Sequence, residues 1–512
     1  MPDIFGTLGS DTITPGFTSL GVSGGFPGGG DDIIRGLDGD DSIIGGGGDD
    51  TIVADLSGGG FDRVSYAGAS GGVTVNMGTG RSSGAAGNDS LINVDEVYGS
   101  SHDDLLLTGV IDRVELLAGE AGNDTLSAAA GISAAGSSFQ LRGGIGNDCL
   151  LGNSGTQHIE LLYGDDGDDT LVAGDSTLVG FNEWQGGNGN DSMWGGSGAS
   201  QMLYGGDDDD TLIAFGGADQ RFYGGLGDDS LIGGTGTGQW LYGHEDNDIL
   251  LGGTGAGQVL FGGAGADYLV GGVHINPVGG AFQYFYGDDA GPYYYYQGGA
   301  DTLVGGEGTL QEFHGGDGSD LLIGGNGRYQ FLFGEAGNDS LVSGDGQDQK
   351  LFGGNDDDSL IGGNLSEQFL YGDNENDLFN GGADTLVAGS GNNQLLLGGA
   401  GNDSLWGANG NGTNLGLAGG DGADTIVGST VNGQFAARLY GEGGADSLRA
   451  GTGADQLLYG DNIQGSGGQD GNDTLAGTTG ISQEFYGGGG ADRGGSGNLN
   501  NWDKWIFCLR AA

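Results

Sequence analysis

The chain has 512 residues, of which 126 are glycine and only 5 proline, and its 71 acidic against 13 basic side chains give a formal charge of −58. So acidic a chain is a poor partner for a nucleic-acid duplex and would be repelled by anionic lipid, so neither is expected to bind it. A strict repeat with Leu or Ile in every half-unit argues against disorder. It replaces the several globular domains suggested by length with one array.

Residues 1 to about 27 are loosely patterned. The opening MPDIFGTLGSDTITPGF has no basic region followed by an apolar core, so export would use a route that reads no ordinary signal peptide. No apolar stretch approaches membrane-spanning length, and no membrane span is expected. Cys149 and Cys508 make no disulfide framework, and Cys149 reads as a surface substitution for the usual Ser or Thr.

Three nine-residue units follow without a gap, GGGDDIIRG, LDGDDSIIG and GGGGDDTIV, which place Asp32, Asp41 and Asp50 nine residues apart. Residues 1–54 form a first block on this basis, and residues 55–142 a strand-rich spacer. Within the spacer Val73, Val75 and Met77 alternate as a half-buried strand would, while Asp89, Asp104 and Asp124 resume the loop pattern.

A long ladder runs over residues 143–492, and its unit is clearest where LYGGDDDDTLIAFGGADQR is followed by FYGGLGDDSLIGGTGTGQW and LYGHEDNDILLGGTGAGQV. Each 19-residue unit has one Gly/Asp turn closing on Asp before a short apolar run, and one Gly/Thr turn closing on Gln. Two turns and two strands make one coil of a solenoid. The loop aspartates are Asp148, Asp169, Asp191, Asp210, Asp229, Asp248, Asp267, Asp301, Asp320, Asp339, Asp358, Asp384, Asp403, Asp424, Asp446 and Asp473. Three insertions each follow a Tyr-Gly-Asp and should share one edge. The tail, residues 493–512, changes character and reads equally as secretion signal, cap or altered frame.

Chemistry explains the pattern. Glycine at the first, second and fourth loop positions is expected to supply φ > 0 and turn carbonyls inward. Calcium takes six to eight oxygen ligands at ~2.3–2.6 Å, which stacked carbonyls and one Asp per loop could provide. Leu or Ile two residues after the Asp points into a narrow core, and one coil cannot bury it alone. Gln201, Gln239, Gln258, Gln330, Gln368, Gln394, Gln456 and Gln483 stand where the second turn would have its Asp. Neutral amides are poor calcium ligands but can hydrogen-bond along the axis. The expectation is ions along one edge of the long ladder and glutamines along the other, with ions on both edges of the nonapeptide block. Without metal, carboxylates stacked at ~4.8 Å repel one another, so the chain should be largely disordered until divalent cations bind.

The unit G-G-x-G-x-D-x-U-x resembles the haemolysin-type (RTX) calcium-binding repeat family. The resemblance implies a right-handed parallel β-roll or β-solenoid, with calcium on Asp32, Asp41, Asp50 and the later loop aspartates. It also implies export by a type I secretion apparatus and an extracellular or bacterial cell-surface location.

Other features point to no catalysis. The histidines His102, His158, His244, His274 and His314 are scattered, no H-E-x-x-H occurs, and G-x-S-x-G hits are those expected by chance in so glycine-rich a chain. An aromatic row, Tyr163, Tyr204, Tyr223, Tyr242, Phe261, Phe333, Phe352, Tyr371, Tyr440, Tyr459 and Tyr486, reads either as strand packing or as a face for a surface polymer or protein ligand. The tetrad Tyr293 to Tyr296 reads as a contact loop or an ornament. A structural or adhesive role leads. Ice binding, a ligand-binding adhesin segment and a detached accessory region of an enzyme or toxin are the alternatives.

Overall fold

The computed structural model describes residues 3–55, 60–109, 114–128, 137–153, 158–175, 182–272, 282–288, 298–373, 381–407, 414–430, 437–452, 456–461, 471–478 and 483–495. The tyrosine tetrad, His274 and the tail beyond residue 495 lie outside them. Among the described residues every regular element is a strand, and no helix is long and apolar enough to cross a membrane. The chain divides into two compact units between Glu245 and Asp246.

In the first unit two ladders of parallel strands alternate along the sequence. Short strands such as Ser192–Trp194, Thr211–Ile213 and Ser230–Ile232 pair in one ladder. Longer strands such as Glu183–Asn188, Met202–Asp207 and Arg221–Leu226 pair in the other. The register stacks equivalent residues: Leu212 lies beside Met193 and Leu231, and Leu203 beside Trp184 and Phe222. These residues are fully buried or nearly so, because one apolar side chain per strand points inward while its neighbours point out. The second unit repeats the arrangement, with Leu322, Leu341 and Leu360 in one column and Phe313, Leu332 and Leu351 in the other. The fold is thus a parallel β-solenoid, as the 19-residue period predicts.

One excursion breaks the first unit. Val73–Asn76 and Arg81–Gly84 form an antiparallel pair, and Arg81–Gly84 also runs antiparallel to Ser90–Ile92. Val73 and Val75 are buried, matching their alternation, and the short-strand ladder resumes where Val73–Asn76 pairs with Leu105–Leu107. Cys149 is half-buried in the outward row between Thr125 and Thr170.

All three Tyr-Gly-Asp insertions leave from the Asp-closing turn of the second unit. Asp288, Asp373 and Asp461 lend side-chain oxygens to backbone N–H groups of the following rung, at Asp317, Ala400 and Gly489. The carboxylate there replaces the ladder contact that the departing backbone gives up.

Candidate metal centres

Every loop aspartate singled out by spacing is buried: Asp32, Asp41, Asp50, Asp89, Asp104, Asp124 and Asp148 through Asp473 all point inward. They form columns in which one rung's Asp N–H donates to Oδ1 of the next rung's Asp. In the first unit Asp148 donates to Asp169, Asp169 to Asp191 and Asp191 to Asp210, each at 2.7 Å. In the second, Asp301 donates to Asp320, Asp320 to Asp339 and Asp339 to Asp358, each at 2.8 Å.

That leaves the other carboxylate oxygen. Oδ2 of Asp124, Asp148, Asp169, Asp191, Asp210, Asp301, Asp320, Asp339, Asp358, Asp384, Asp403, Asp424, Asp446 and Asp473 is buried with no hydrogen-bond donor. Buried carboxylate oxygens are costly without a partner. They also do not stand alone. A methyl group built on Gly205 would lie 2.2 Å from Asp210 Oδ2 and 2.7 Å from the Gly224 carbonyl oxygen of the next rung. At Gly315 the corresponding distances are 2.3 Å to Asp320 Oδ2 and 2.7 Å to the Gly334 carbonyl oxygen. Carboxylate and carbonyl oxygens therefore converge between rungs, which is the donor set a hard cation takes. Among the described residues no three His, Cys or acidic side chains gather at one point. A cation here would be held by one or two carboxylates and by backbone carbonyls.

This geometry corrects the role expected of the first loop glycine. The second and fourth positions do have positive φ, at Gly225 (134°) and Gly227 (114°), and non-glycine residues such as Asp208 (78°) and Glu335 (80°) also occupy such positions. The first, at Gly205, Gly224 or Gly315, does not. Glycine is required there because a side chain would occupy the space of the Asp carboxylate.

Electrostatics agrees. Burial, opposed by the N–H from the preceding rung and reinforced by neighbouring carboxylates, pushes Asp50 up to about 7, Asp301 to about 8 and Asp358 to about 9. A shared divalent ion would reverse that pressure by supplying the missing positive charge.

The second edge changes along the chain. Near the N-terminus it is acidic: Asp11 donates to Asp41 at 2.8 Å, Asp41 to Asp62 at 2.9 Å, and Asp62 to Asp95 at 3.1 Å. Asp32 and Asp50 meanwhile pair on the first edge at 2.8 Å, so the nonapeptide block has acidic columns on both edges. Asp11, Asp62 and Asp95 were not singled out by spacing. Asp62 follows a weak glycine loop in GGGFDRV that could have flagged it, whereas nothing before Asp95 could.

Farther along, buried glutamines fill this edge. Gln220 Nε2 donates to Gln201 Oε1 at 2.7 Å and Gln239 to Gln220 at 2.9 Å. In the second unit Gln311 donates to Gln283, and Gln330 to Gln311, each at 2.7 Å. Gln220, Gln283, Gln311 and Gln349 belong to the row by the same signal as the others, a position two residues before the core. Between acids and amides stand Glu115 and Glu160, both buried. Burial pushes them up to about 7 and about 8, against backbone N–H donors, as neutral groups would better suit an amide column.

A few sites differ. Asp89 takes hydroxyl hydrogens from Ser82 (2.8 Å) and Tyr66 (3.2 Å) on Oδ2, and Asp104 takes the Ser100 N–H at 2.5 Å. Ser82 lies on the antiparallel strand Arg81–Gly84, whereas Ser100, like Gly28 before Asp32, stands four residues before the Asp it serves, so protein donors satisfy these oxygens in two different ways.

The aromatic row packs face to face along the strands. Tyr204, Tyr223 and Tyr242 lie 4.7 and 4.9 Å apart within 7° of parallel, and Phe333, Phe352 and Tyr371 lie 4.8 and 4.7 Å apart. Tyr286 and His314 join the row, His314 standing between Tyr286 and Phe333. Ring faces are taken by neighbours and the edges face outward, which favours axial packing over ligand stacking.

A family model described as the RTX calcium-binding nonapeptide repeat (4 copies) matches residues 26–62, 112–132, 161–177, 185–273, 312–329, 331–349, 368–413 and 417–463, more than half the chain. A search among curated proteins found no match.

Proposed function

Because the chain belongs to the RTX calcium-binding nonapeptide repeat family, we propose that calcium ions occupy the spaces between its Asp-closing turns and hold successive rungs together. The ligands would be the loop aspartates named above, with the carbonyls of the adjoining glycine turns. The observation that carries this reading is the buried, donor-free Oδ2 repeated from Asp301 through Asp473 beside a carbonyl of the next rung.

The protein is a structural or adhesive repeat module without catalysis. It is exported unfolded through a type I apparatus and folds outside a bacterial cell, where calcium is millimolar. Extracellular calcium modules bind at ~10⁻⁴–10⁻³ M, weak enough to stay empty in the cytosol. What supports this is the coupling of metal to fold: carboxylates stacked one rung apart oppose folding until a cation joins them.

Far-ultraviolet circular dichroism during a calcium titration tests the reading, with magnesium as control. The β signal should be weak in chelator and rise cooperatively with calcium only. A complete β signal in chelator would sink it.

A further inference from the structure

On the second unit a groove of about 700 Å³ runs beside the short strands, among Val387, Trp406, Val427 and Arg449 and the glycine turns next to them. We propose that this groove binds a neutral oligosaccharide of pyranose rings, stacked on Trp406 and hydrogen-bonded by Arg449.

Three observations point there. Trp406 is 45 % exposed, and its strand neighbours are Val387 and Val427, so unlike the rings of the aromatic row it has no aromatic partner among the described residues. An exposed indole lining a groove is a surface on which the C–H side of a sugar ring packs. Arg449 is exposed and, among the described residues, its side chain forms no ion pair or hydrogen bond, although the chain carries a charge of −58. Its fork of N–H donors is free to meet vicinal hydroxyls. The register Trp406–Val427–Arg449 sets the two posts two rungs apart, about 9–10 Å, close to the length of a disaccharide.

The rim supplies further polar partners. Asn364 and Ser390 stand on adjoining turns, linked by a 2.8 Å hydrogen bond, and Thr452 borders the same groove. A concave site of this volume with apolar walls and a few convergent polar groups suits a small ligand. Charge selects the kind of sugar: the field of so acidic a protein opposes an anionic glycan, while hydroxyl recognition carries no such cost.

The proposal rests on the calcium-folded scaffold, so the test uses the full chain with calcium, its circular dichroism checked first. A failed scaffold shows there, before any sugar is added. Calorimetric titrations with cellohexaose and with the N-acetylglucosamine hexamer should give saturable binding by one or both. Trp406→Ala and Arg449→Ala, both at exposed positions, should each weaken it by about tenfold or more, equivalent to ~1.4 kcal/mol. Trp240→Ala, an exposed indole on the first unit, should leave it unchanged. The proposal is overturned if neither hexamer binds, if Trp406→Ala binds as the parent does, or if hexagalacturonate alone binds.

Discussion

Two stretches of this chain share a backbone and differ in what closes their second turn. Around residues 3–55 both edges are acidic, with Asp11 and Asp41 on one side and Asp32 and Asp50 on the other. Around residues 301–403 one edge carries Asp301 to Asp403, while the opposite edge carries hydrogen-bonded Gln311, Gln330 and Gln349. In this stretch Gln330 donates to Gln311 and Gln349 donates to Gln330, so neighbouring amides can pair with one another. The acidic column cannot, because a carboxylate has no hydrogen to give. The lesson is that one edge of the ladder can pair its side chains with each other, while the other leaves buried carboxylate oxygens without a donor.

Calcium removal should break the comparison open with the largest effect. Hydrogen exchange followed by mass spectrometry should show protection at Ile34 and Ile52 falling by about a hundredfold or more in chelator. Amides beside the glutamine column, at Leu332 and Leu351, should lose less. Equal loss in both stretches would remove the distinction.

Next come paired substitutions in one rung of the second unit. Asp320→Ala should raise the calcium concentration needed for folding and cost about 1–3 kcal/mol in calcium. Gln330→Leu leaves Gln311 and Gln349 short of a partner, and should cost a similar ~1–3 kcal/mol while leaving the calcium midpoint unmoved. Chemical denaturation at several calcium concentrations separates the two.

Gly315→Ala sharpens the point about close approach. Its added methyl would meet Asp320 Oδ2 at 2.3 Å without needing a left-handed backbone. Calcium affinity should fall, with an overpacking cost of about 1–3 kcal/mol, and calorimetric titration reads both.

The pH dependence in chelator has a definite sign. Asp41, Asp148 and Asp358 rise from 3.8 to about 6, 7 and 9 on folding, so the folded chain holds more protons across that interval. Their contribution is present below pH ~4 and is lost as pH rises through about 6–9. Circular dichroism of the calcium-free chain should show more β structure at pH 4.5 than at pH 8.5. The reverse trend would contradict the buried acidic column.

The smallest effect belongs to the aromatic row. Tyr223→Ala removes stacking on Tyr204 and Tyr242, worth about 0.5–1.5 kcal/mol per pair, with no change in calcium midpoint.

Sequence alone determined the solenoid, the inward aspartates, the buried Leu two residues on, the two-edged nonapeptide block and the amide ladder. All of these follow from period: in a repeat whose coils stack in register, equal positions become neighbours, so spacing is already geometry. What spacing could not reach was decided by stacking across the sequence. Asp95 joins the acidic edge only because the strand Glu96–Tyr98 pairs with Arg63–Ser65, and Asp89 is closed by Ser82 because an antiparallel strand folds over it. The first loop glycine looks in sequence like a backbone-conformation glycine. Only the folded turn reveals that its missing side chain makes room for a carboxylate five residues on. A period names the partners along the axis; the size of the space between them exists only once the rungs are stacked.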